Sequence, residues 1–113
     1  MKLIDTHCHL DFPDFKDDLE NVIQGAALKG IEYIINVGSS LKGSQASVEL
    51  AKKYKMIYAA AGFHPHEADK FSDDNLKQMR DLIRQDKVVA IGEVGLDYFR
   101  NLSPKEAQIE LFC

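Results

Sequence analysis

The sequence predicts an α/β protein built on a parallel sheet, and three observations carry that expectation. Four short β-branched or aromatic runs alternate with amphipathic helical stretches. The runs begin roughly 25–30 residues apart, about the length of one unit in an eight-fold barrel of ~250 residues. All four histidines fall at the ends of these runs, where α/β sheets build their sites. The expected architecture is of the (β/α)8 TIM-barrel type. Residues 1–113 would cover about the first four β/α units, as the N-terminal part of a single domain. A small open doubly wound sheet is the rival arrangement.

Each element has a local reason. Residues 2–5 read as a short strand entering a polar loop. Residues 15–29 read as a helix, with Leu19, Val22, Ile23, Ala26 and Ala27 at 3–4 spacing. Gly30 is placed to end it. Residues 32–37, EYIINV, form the second strand, and residues 45–54 the second helix. Residues 57–63 form the third strand. Ser72 caps a third helix over 73–84, whose apolar stripe is Leu76, Met79, Leu82 and Ile83. Residues 88–94 form the fourth strand. Ser103, Pro104 and Glu106 then spell a helix start, with Ser103 as the capping side chain. That last helix stops at Cys113 with Ile109, Leu111 and Phe112 lacking a partner, as expected of a chain cut short.

Composition narrows the class. The 113 residues are 45% hydrophobic and 28% charged, which excludes a disordered chain, a collagen-like chain and a disulfide scaffold. No apolar run approaches the ~18–20 residues of a membrane span, and the N-terminus has no signal-peptide core, so a cytoplasmic protein is expected. Fourteen Lys and Arg against eighteen Asp and Glu give a net charge of −4. A broad phosphate-neutralising surface is usually basic, so any grip on nucleic acid must use local groups or metal ions. Cys8 and Cys113 form no metal-binding or redox motif.

The chemistry concentrates in three segments. In Asp5-Thr6-His7-Cys8-His9, residues at i and i+2 share a face of an extended chain, so His7 and His9 point together as candidate metal ligands. Asp5 shares their face and is placed to orient one of them, whereas Cys8 points away and is read as packed. In Ile91-Gly92-Glu93-Val94-Gly95-Leu96-Asp97, Glu93 ends an apolar strand, where a carboxylate needs a metal or a cation such as Arg100. In Gly62-Phe63-His64-Pro65-His66, His64 is a ligand, a phosphate-binding cation or an acid-base group, with His66 one step farther out in support. Asp97 and Tyr98 line the site or cap the loop. Lys52, Lys53 and Lys55 read as a solvated helix face. Asp11, Asp14, Asp17, Asp18 and Glu20 read as charges favouring a helix start.

With these residues in hand, the chain resembles the TatD-type deoxyribonuclease family of metal-dependent hydrolases. IDTHCHLDF, GFHPHEA at 62–68, AIGEVGLDYFR at 90–100 and SPKEAQIELF at 103–112 carry the resemblance. It implies a (β/α)8 barrel with one to three divalent ions such as Mg, Mn or Zn at the C-terminal mouth. It implies hydrolysis of DNA phosphodiester bonds, often as a 3′→5′ exonuclease, by a metal-activated water. His7 and His9 then look like ligands of one metal, and Glu93 like the bridge to a second and a catalytic group. His64 looks like a catalytic or substrate-phosphate residue, with His66 beside it in substrate binding. Family members are roughly twice this length, and later strands supply the remaining ligands. The chain would then either self-associate or lack a C-terminal half-barrel. The alternatives are a related hydrolase acting on D-aminoacyl-tRNA or a phosphoester, and a non-catalytic truncated fragment.

Overall fold

The computed structural model describes all 113 residues. The strands are β1 (Leu3–Cys8), β2 (Ile31–Val37), β3 (Ile57–Ala61) and β4 (Val88–Ile91). The helices are α1 (Leu19–Leu28), α2 (Leu41–Lys53), α3 (Asp73–Leu82) and α4 (Lys105–Phe112), with 3-10 turns at Pro13–Phe15 and Pro65–Lys70. The four strands are parallel and lie in the order β1-β2-β3-β4. A doubly wound sheet would reverse direction partway across. The sequential order instead matches successive units of a (β/α)8-type barrel.

Element boundaries differ from the sequence expectation in instructive ways. β1 runs through His7 and Cys8, and it is bulged against β2 on either side of Ile4 and Asp5. α1 begins only at Leu19, because Pro13–Phe15 forms its own short turn. Asp11 and Asp14 are therefore not charges of its first turn. Gly30 follows α1 with φ of +94°, a left-handed position that glycine occupies without strain. α2 starts four residues early, because the Ser40 hydroxyl accepts from the Gly43 N–H at 3.1 Å. Ser72 caps α3 as expected. β3 and β4 end before Gly62 and Glu93, which places both motifs in the loops leaving the strands.

Ser103 does not cap α4. Its hydroxyl donates to the His66 carbonyl at 2.9 Å and to Asp69 at 3.1 Å, so it ties the loop before α4 to the Pro65–Lys70 turn. The reason is burial: Ser103 is enclosed between these segments, and its own hydroxyl needs a partner there.

One sheet face packs under the helices. Leu10, Ile23, Ile34, Val48, Ala51, Ile57 and Ala59 form its main cluster, and Ala61, Phe63 and Met79 form a second beneath α3. The other face carries Tyr33, edge-on to Tyr58, and Val89, whereas Ile91 pairs with Ala61 and lines the groove beneath α3. Tyr33, Val89 and Ile91 are exposed.

Asn36 sits fully buried where the end of β2 meets α2. Its amide donates to Ser47 Oγ and to Asp11 Oδ1, each at 2.8 Å, while its carbonyl accepts from the Leu10 N–H at 2.5 Å. One side chain thus fastens the loop after β1 to the second unit. Asn36→Ala strands the Leu10 N–H inside the core, while the Ser47 hydroxyl keeps its bond to the Gly43 carbonyl. It should cost about 2–3 kcal/mol, read as a lower urea midpoint at unchanged m.

Candidate metal centre

The C-terminal ends of β1 and β4 deliver the expected ligand set to one place. Donor atoms of His7, His9 and Glu93 all lie within 4.8 Å of one another. Three interstrand steps separate β1 from β4, about 14 Å in a flat sheet. The side chains meet because the sheet curls toward the face they share. His7 and His9 stand edge to face with ring centroids 5.1 Å apart.

His9 is the best-fixed member. Its Nδ1 donates to the Val37 carbonyl at 2.8 Å, and Phe12 stacks on its ring at 4.7 Å. That bond leaves Nε2 with its lone pair facing Glu93, 4.0 Å from Oε2. Glu93 is therefore set against His9 and not against Arg100. The Asp5 carboxylate accepts from the His7 backbone N–H at 3.1 Å. Asp5 thus shapes the strand end, and it makes no hydrogen bond to a ligand imidazole.

Two neutral imidazoles and a carboxylate suit a divalent ion such as Zn or Mn. Cys8 is not part of the set. Burial, with a further push from Asp5, raises its thiol to about 11, and its sulfur faces Ile35 O and Asn36. Cys8 and Cys113 are both free.

A cavity of about 320 Å³ opens beside the cluster, lined by His9, Glu93, His64, His66 and Arg100 among others. A separate, more apolar groove under α3 and α4 touches none of the histidines. His64 lies outside the ligand cluster but on this cavity. Its Nδ1 accepts from the His66 N–H at 3.1 Å, which leaves Nε2–H as its free donor. The His66 ring meets it edge-on at 4.1 Å.

Asp97 supplies what sequence reasoning left open. One oxygen accepts from the N–H groups of Arg100 (2.9 Å) and Phe99 (3.1 Å). The other meets His66 Nε2 at 2.5 Å. Gln108, buried on α4, accepts from the Asp97 N–H and donates to its carbonyl. The Arg100 amide, followed by His66, holds the Asp97 carboxyl below the usual carboxylate range.

Parallel β/α units with a His-x-His pair and a carboxylate at one mouth define the class of metal-dependent hydrolases. The TatD-related DNase profile matches residues 4–113, and the chain belongs to that family. It is 41% identical over 110 residues to YabD of Bacillus subtilis, described as an uncharacterised metal-dependent hydrolase, covering 97% of this chain and 43% of YabD. It is 33% identical over 110 residues to the 3′-5′ ssDNA/RNA exonuclease TatD of Enterobacter lignolyticus, covering 97% of this chain and 42% of that protein. The crystal structure of YjjV, a TatD homologue from Escherichia coli K12, superposes with a TM-score of 0.87 at 41% identity, covering 97% of this chain and 43% of that one. The chain thus spans less than half the length of these relatives. No helix is long and apolar enough to cross a membrane.

Two outcomes follow. Asp97 has a depressed folded pKa, so its contribution is present above the ordinary carboxylate value of about 4 and is lost as pH falls through the folded value. The Tm difference between wild type and Asp97→Asn should therefore shrink below about pH 4. At pH 8, iodoacetamide should label the exposed Cys113 well before Cys8.

Proposed function

We propose that residues 1–113 are the N-terminal, ligand-bearing part of a single-domain nuclease barrel that hydrolyses DNA phosphodiester bonds from the 3′ end of a single strand. The observation that carries this is the convergence of His7, His9 and Glu93 beside a histidine-lined cavity. The exonuclease description of a relative supports the substrate and polarity. The metal-dependent hydrolase description of another supports the reaction class.

His7 and His9 would hold one divalent ion, and Glu93 would share it or bridge to a second. When bound, such an ion lowers the pKa of water and offsets phosphoryl charge. The chain's own residues do the rest. Val37 O fixes the His9 tautomer. His64 presents Nε2–H to a phosphoryl oxygen, and its other nitrogen is fixed by the His66 amide. His66, held by Asp97, forms the adjoining wall for the substrate. A cytoplasmic location accords with this activity.

Titration with Mn²⁺ tests the ligand assignment. His9→Ala or Glu93→Ala should weaken binding by about tenfold or more, and unchanged affinity overturns it. In a chain carrying the remaining strands, the same variants should lose Mn-dependent release of a 3′ label from single-stranded DNA. Parallel assays on RNA, D-aminoacyl-tRNA and a phosphomonoester decide the substrate.

A further inference from the structure

We infer that Arg100 is a phosphate-binding residue of this site, gripping the backbone of a single-stranded nucleic acid beside the metal cluster. The inference rests on the proposed nuclease reading and adds a residue to it.

Arg100 is the one lysine or arginine among the residues lining the cavity that also holds His9, His64, His66 and Glu93. Its charge has no use within the fold. The three carboxylates of this region each face another group: Glu93 the His9 ring, Asp97 the His66 ring, and Glu67 the Lys70 ammonium at 3.1 Å. No carboxylate lies within ion-pair distance of the Arg100 guanidinium.

Its backbone, by contrast, is tied down. The Arg100 N–H donates to Asp97 Oδ1, and the opposite oxygen of the same carboxylate holds His66. Asp97 itself is fastened to α4 through Gln108. One carboxylate therefore sets a permanent cation and an imidazole on the same wall. A loop anchored this closely, presenting an unspent guanidinium, is suited to bidentate contact with a phosphate. Lys at the same place would offer only a point charge. In a chain of net charge −4, such a local cation is what a phosphodiester backbone requires for attraction to this mouth.

Binding of a fluorescein-labelled single-stranded oligodeoxynucleotide in EDTA, at several salt concentrations, tests this without the metal. Arg100→Ala should weaken binding about tenfold and reduce the slope of log affinity against log salt by about 0.7, one phosphate contact on a single strand. Arg100→Lys should restore the slope but only part of the affinity. Mn²⁺ affinity should be unchanged in both variants. An Arg100→Ala chain with wild-type affinity and slope overturns the inference, as does a wild-type chain that does not bind the oligonucleotide. If Glu93→Ala and His9→Ala leave Mn²⁺ affinity intact while Arg100→Ala still lowers the slope, the ligand assignment falls and the phosphate contact stands.

Discussion

The buried amide of Asn36 is the contact on which the site depends. It sits at the end of β2, yet its partners are Leu10, Asp11 and Ser47, from the loop after β1 and from α2. The two histidines of β1 lie immediately before that loop. Without a fixed departure for the chain after His9, the imidazole could not keep its bond to Val37 O or its stack on Phe12. The cost of burying a polar side chain is offset because every one of its donors and acceptors is matched. A hydrophobic residue would pack there as well, but it would leave the Leu10 amide unpaired.

A second polar centre repeats this logic on the far side of the mouth. Asp97 gathers the loop after β4, the turn after β3 and α4. Ser103 closes the same region by bonding to the carbonyl of His66. Between the two centres lie the residues on which the chemistry would act. The site is thus suspended between two small hydrogen-bond networks, and the apolar core lies behind them under the helices.

Much of this was legible in the sequence, because periodicity and strand chemistry report burial directly. The alternation of His7 with His9 placed both on one face, and the apolar run before Glu93 placed the carboxylate at a strand end, although Ile91 turns to the α3 side and does not share its face. The four-unit rhythm gave the sheet and its direction. Polar contacts between distant segments were less accessible. Asn36 stands in EYIINV with nothing to mark it as a hub. Ser103 fits a capping pattern, but tertiary acceptors outcompeted the local one. Arg100 was a natural partner for Glu93 by proximity in the chain, whereas the fold set Glu93 against His9. Local patterns specify local geometry, and they are silent where a side chain can choose between a near and a far partner.

The ligands come from the first strand and from the loop after the last, and these strands do not pair with each other. Strand pairing alone fastens each unit only to its neighbour. An ion held jointly by His7, His9 and Glu93 would be a direct tie between the outermost units. Its binding energy would then act as a clasp on the curvature of the whole sheet. A chain of this kind would hold its ion more tightly once the fourth unit had joined the first three, so occupancy would track that joining as well as readiness for catalysis.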